Sequence, residues 1–249
     1  MSRPRQFDLI CFDWDGTLFD SAACIVHSMQ AAARELGLEP PEDAQARQVI
    51  GLGLEPALQQ AVLDVGGARP SDADAAYVIG MALVPALAKA APDVPADKYP
   101  ELAARYRHHY LARQQDISLF EGVLPMLAEL RARHHWLTVA TGKSRRGLDD
   151  VLASRQLAGV FDGSRTADET AGKPDPRMLH ELMDELGVAP ARTLMIGDTT
   201  HDLQMAALAG CASLGVSYGA HDSQAFHAFG PRAVLHSVAE LADWLNHHG

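Results

Sequence analysis

A doubly wound α/β fold, a parallel sheet covered on both faces with an all-helical insertion, is what the 249-residue sequence predicts. Three observations lead there. After Gly122, short apolar runs bounded by turn residues alternate with helical patterns, as in parallel sheets built from βαβ units. Before it, a long stretch shows helical periodicity and no convincing strand. Finally, polar, chemistry-bearing residues cluster just after the predicted strands, where open parallel sheets bind their ligands.

The elements follow in order. Phe7 to Phe12 is an apolar run interrupted once by Asp8 and ended by Asp13-Trp14-Asp15-Gly16-Thr17, a buried strand followed by a turn. Asp20 or Ser21 can cap a helix running to about Leu36, with Gly37 as its stop. Helical patterns then occupy 54–65, 72–91 and 98–115. A helix over 123–134 precedes a strand at Trp136–Ala140, and a helix from Ser144 to Arg155 precedes a short strand near Val160-Phe161. A helix at 176–186 leads to a strand at Thr193–Ile196, and a helix at 200–209 to a strand at Ala212–Val216. A last helix starts near Ser237. The insertion reads as a helical cap over 20–118, set into a catalytic core of 1–19 and 119–249.

Composition narrows the function classes. With 21 Lys+Arg against 32 Asp+Glu the net charge is −11, which argues against a broad nucleic-acid surface, because phosphate neutralisation needs clustered cations. Cys11, Cys24 and Cys211 are too scattered for a disulfide framework or a zinc site. The apolar stretch from Tyr77 to Ala88 contains Gly80 and Pro85 and is shorter than the roughly 20 residues of a membrane span. A cytoplasmic protein with no membrane or nucleic-acid partner is expected.

Four carboxylates, a hydroxyl and a lysine converge on one sheet edge: Asp13 and Asp15 after the first strand, Thr141-Gly142-Lys143 after the second, Lys173 after the third, Asp198 and Asp202 after the fourth. Carboxylates this close repel one another unless a cation intervenes, and Mg2+ suits oxygen ligands combined with a substrate phosphate. Lys173 and the donors around Thr141 supply compensating positive charge. The mixture fits phosphoryl transfer, where positioning and charge neutralisation do most of the work. Asp13 is placed to attack phosphorus, and Asp15 to protonate the leaving oxygen and then activate water.

Asp13-x-Asp15-Gly16-Thr17, Thr141, Lys173 and Gly197-Asp198-x-x-x-Asp202 resemble, in order and spacing, the four motifs of the haloacid dehalogenase superfamily of phosphohydrolases. The resemblance covers nearly the whole chain, including the cap between the first two motifs. It implies Asp13 as nucleophile, Asp15 as general acid/base, Thr141 as phosphoryl-oxygen donor and Lys173 as charge stabiliser. Thr17, Thr141, Gly142 and Lys173 are then the substrate-binding set. Mg2+ would be held by Asp13, the Asp15 backbone carbonyl and Asp198, with Asp202 supporting the site. Leu18-Phe19-Asp20-Ser21, Phe120-Glu121-Gly122-Val123 and Gly172-Lys173-Pro174-Asp175-Pro176 are similar to the phosphoglycolate phosphatase-like branch. That branch implies action on a small phosphorylated metabolite through an aspartyl-phosphate; a monomer or homodimer is expected.

Asp15 speaks against the dehalogenases, which usually lack it, and against phosphonoacetaldehyde-hydrolase relatives, which carry alanine there. Many branch members have Thr-Asn-Lys where Thr141-Gly142-Lys143 stands, which removes an amide beside the substrate. A phosphomutase of the β-phosphoglucomutase type shares the four motifs, and a non-catalytic binding module on the same fold is a further alternative. Gly51-Leu52-Gly53 lacks the third glycine of a dinucleotide loop; the family resemblance implies a cap loop facing the site there. The pairs His108-His109, His134-His135 and His247-His248 lack helical metal-ligand spacing and read as solvated. Lys143 reads equally as an anion contact or a solvated residue.

Overall fold

The computed structural model describes residues 5–20, 95–98, 100, 117–143, 145–154, 157–167, 169–219 and 221–249. The helices expected between 21 and 94 and over most of 98–115, the Gly51–Pro56 loop and His108-His109 lie outside the described residues. The chain divides into two compact units, Met1–Leu18 with Gly80–Ala82 and Leu119–Gly249, and Phe19–Ile79 with Leu83–Ser118.

The first unit is built on a six-stranded sheet. Its strands are β1 (Leu9–Phe12), β4 (Trp136–Thr141), β5 (Gly163–Thr166), β6 (Thr193–Gly197), β7 (Ala212–Val216) and β8 (Val234–Leu235). Two further short strands, β2 (Phe19–Asp20) and β3 (Ser118–Leu119), pair with each other. The sheet order is β5-β4-β1-β6-β7-β8 and every pairing is parallel. β1 lies centrally, with Phe12 opposite Val139 on one side and Ile196 on the other. All four β1 side chains are buried, as a strand covered on both faces requires.

Helices α1 (Val123–Ala132), α2 (Arg145–Ser154), α3 (Arg177–Leu186), α4 (Thr200–Ala209) and α5 (Val238–His248) flank the sheet. On one face Met178, Leu179, Leu182 and Met183 of α3 join Met205, Ala206 and Ala209 of α4 over Leu9, Cys11, Ala140 and Met195. Alternation sends Ile10 and Phe12 to the other face. There α1 buries Val123, Met126, Leu127 and Leu130, and α5 buries Val238, Leu241 and Leu245. Left-handed glycines end α3 at Gly187 and α4 at Gly210. None of the described helices is long and apolar enough to cross a membrane.

One local expectation is corrected. The strand after α2 is Gly163–Thr166, not Val160-Phe161. β5 is an edge strand, held by pairing with β4, and an edge needs no apolar run. Phe161 instead packs edge-on against Trp14, with ring centroids 5.9 Å apart. Asp20 lies in β2, the helix expected after it falls outside the described residues, and β8 is too short to show periodicity.

Candidate active site

The sheet brings the carboxyl ends of β1, β4, β5 and β6 to one edge, and the predicted residues stand there. The Asp13 amide continues the ladder beyond β1 by donating to Ile196 O (2.8 Å). Leu18 N donates to Trp14 O (3.0 Å), closing a turn whose glycine, Gly16, has φ +81°. A side chain at Gly16 would also overlap the Asp198 carboxylate, so the position needs glycine on both counts.

Asp13 is buried, and its two oxygens differ. Oδ1 accepts from Lys173 Nζ at 2.5 Å, whereas Oδ2 is enclosed with no hydrogen-bond partner. Lys173, fully enclosed, also stands 2.6 Å from Asp202 Oδ1. Burial opposes charge on this lysine, but Asp13 and Asp202 outweigh it and raise its pKa. Burial pushes Asp13 above the ordinary carboxylate range, with Lys173 pulling the other way and the Asp202 charge adding to the rise.

Asp202 has a second task. In a capping box, its Oδ2 accepts from the Thr199 amide (3.1 Å) and hydroxyl (2.7 Å), holding the first turn of α4. A Cβ at Gly197 would overlap this carboxylate, which explains a glycine at the end of a buried strand. Asp198 is fully buried. Its Oδ1 accepts from Thr17 Oγ1 (3.0 Å), and a side chain at Gly219 would collide with it. Tyr218 in turn donates its hydroxyl to Thr17 O (3.2 Å).

Thr141 ends β4 one register position beyond the level of Asp13. Its Oγ1 accepts from the Lys143 amide (3.2 Å), leaving the hydroxyl hydrogen available. Lys143 Nζ pairs with Asp15 Oδ2 at 3.1 Å. Gly142, between Thr141 and Lys143 in the chain, is partly exposed. The loop bearing Lys173 is tied down by Glu169, which meets Arg145 through two bonds of 2.9 and 2.6 Å and accepts from Thr166 Oγ1 (2.8 Å).

Asp13, Asp198 and Asp202 offer carboxylate oxygens within 4.8 Å of one another. Three buried acids against one enclosed ammonium leave negative charge uncompensated. This all-oxygen set fits a hard divalent cation. The other candidates recede: burial pushes the Cys11 thiol up to about 12, and His135 is buried with Nδ1 on Phe7 O (3.0 Å), not solvated as expected.

Sequence reasoning did not single out Tyr218, Thr199 or Gly219. The Tyr218 and Gly219 contacts arise only when β7 is placed beside β6. The Thr199/Asp202 capping box is visible in the sequence as a threonine followed by an acid three residues on.

Comparison with known proteins follows the same lines. The family model described as haloacid dehalogenase-like hydrolase matches residues 10–216. A relative from Dickeya dadantii, "Probable phosphatase IndB", is 34% identical, covering 94% of this chain and 91% of the relative. A phosphoglycolate phosphatase from Vibrio vulnificus is 28% identical, with 96% of each chain covered. Among solved structures, a hydrolase from Pseudomonas syringae superposes with a TM-score of 0.71 at 20% identity, over 96% of this chain and 97% of that one.

Proposed function

Because this chain belongs to the haloacid dehalogenase-like hydrolase family, we propose that it is a Mg2+-dependent phosphatase that hydrolyses a small phosphomonoester through an aspartyl-phosphate on Asp13. One observation carries the reading: Asp13 Oδ2 is buried without a partner while Lys173 holds Oδ1. One oxygen is fixed and the other carries no hydrogen-bond donor, which leaves its lone pairs for bond formation to phosphorus.

In the first step Oδ2 attacks phosphorus, and the P–O bond to the alcohol breaks as Asp15 passes its proton to the departing oxygen. In the second, Asp15 takes a proton from water as that water attacks phosphorus. Orthophosphate leaves and the Asp13 carboxylate is regenerated. Lys173 offsets the charge on the phosphoryl oxygens, and the Thr141 hydroxyl and the Gly142 amide donate to them. Asp13, the Asp15 carbonyl and Asp198 would hold the Mg2+. Asp202, already engaged with Lys173 and Thr199, supports the site rather than binding directly. When bound, the cation neutralises charge between the carboxylates and the phosphate.

The substrate class rests on the relatives named phosphoglycolate phosphatase, so a short, anionic alkyl phosphate is the leading candidate. Residues 20–118 are proposed as a helical cap domain, 1–19 with 119–249 as the catalytic core, and the cytoplasm as the site of action. A screen of phosphorylated metabolites, with Mg2+ or with chelator, tests the reading by released orthophosphate. Mg2+-dependent release from small monoesters supports it; no release across the panel, or a sugar phosphate isomerised without free orthophosphate, contradicts it.

A further inference from the structure

We infer that Lys143 is the positioning residue for Asp15, acting on the reaction by holding the general acid/base rather than by binding the phosphoryl group. The inference rests on the proposed role of Asp15. Its own evidence is the division of cations at the site. Lys173 serves Asp13 and Asp202, at 2.5 and 2.6 Å, while Lys143 Nζ stands 3.1 Å from Asp15 Oδ2.

The lysine is well suited to hold a direction. Its amide donates to Thr141 Oγ1 (3.2 Å) and its carbonyl accepts from the Ala167 amide (3.1 Å), so the backbone that carries it is anchored to β4 and to the end of β5. The two side chains are only 8% and 17% exposed, which sets this pair apart from surface ion pairs of negligible weight. Asp15 lies in the turn two residues beyond Asp13, where its carboxylate can swing about two side-chain torsions. An acid/base must come within about 2.6–3.2 Å of the oxygen it serves, so a swing of one rotamer removes it from the reaction. An anchored ammonium selects among those rotamers.

The test compares kcat/KM for two substrates in one preparation, 2-phosphoglycolate (or the best alkyl phosphate of the metabolite screen) and p-nitrophenyl phosphate. The first has a leaving oxygen that needs a proton; the second does not. Their ratio is independent of the fraction of folded enzyme. Lys143→Met is expected to lower the alkyl ester about tenfold or more while the aryl ester falls less than about threefold, a part of the roughly 100-fold or larger effect of a general acid. Lys143→Arg should recover most of the loss, and inhibition by orthophosphate should be unchanged. Asp15→Asn is the reference and should show the same leaving-group bias more strongly. Equal losses on both esters for Lys143→Met, or weaker orthophosphate binding with kcat retained, would overturn the inference while leaving Asp15 in place. No bias in Asp15→Asn would remove the acid/base reading itself, and the inference with it.

Discussion

Thr17 donates its hydroxyl proton to Asp198 Oδ1 at 3.0 Å, joining the loop after β1 to the loop after β6 across 181 residues of sequence. Both residues are fully buried, and Tyr218 holds the Thr17 carbonyl from the other side. The expected substrate-binding threonine therefore directs its hydroxyl at a candidate metal ligand. Thr17→Val keeps the shape and removes the donor. It should weaken Mg2+ activation about 10- to 100-fold, as losing a partner behind a metal ligand does. Activity titrated against Mg2+ checks this, and an unchanged half-saturating concentration would count against it.

Glycines set the spacing of the acids. Gly16→Ala and Gly197→Ala each place a methyl where the Asp198 or Asp202 carboxylate now lies. Each should lose Mg2+-dependent activity and about 1–3 kcal/mol of stability from overpacking. Gly159 is the control, with φ +75° and nothing within 4 Å of an added Cβ. Gly159→Ala should cost only about 1–2 kcal/mol for its backbone conformation and leave kcat alone. Urea denaturation alongside steady-state rates separates the cases.

Removing the shared cation should be severe. Lys173→Met leaves Asp13 and Asp202 facing each other in the interior, and stripping one partner from a buried ionic cluster costs about 3–5 kcal/mol. The midpoint of chemical denaturation should fall accordingly, and turnover should be lost even at temperatures where the variant is folded.

A pH effect is expected far from the site. Burial, followed by repulsion from Arg133 and Arg5, lowers the His135 pKa from 6.5 to about 4, with Asp8 and the Phe7 carbonyl acting the other way. Between those values the unfolded chain binds a proton that the folded protein does not, so stability must fall as pH drops from about 6.5 towards 4. His135→Gln should flatten that part of the denaturation profile. An equally steep profile in the variant would place the dependence elsewhere.

Much of this architecture was legible because the physics is local. β1, β4, β6 and β7 are buried strands whose apolar runs announce themselves, and α3 and α4 close on Gly187 and Gly210 as the punctuation implies. The motif acids were legible because they directly follow those runs, and the sheet brings Asp13, Lys173, Asp198 and Asp202 together. What escaped depends on neighbours remote in sequence. The polar strand β5 is defined by pairing rather than apolarity, so Val160-Phe161 drew the assignment instead. The partner of Lys143 is set by how β4 lies beside β1, and no spacing distinguishes a lysine bound to Asp15 from one in solvent. His135 looked like one of a solvated pair, yet it sits just before β4, where the chain turns inward.

The claim on which the rest depends is that Asp13 is the nucleophile, and steady-state phosphate release by Asp13→Asn, purified free of the native enzyme, tests it most directly. Turnover is expected at background, with the folded structure retained in circular dichroism and denaturation. Hydrolysis of the same phosphomonoester at a rate near that of the native protein would contradict it.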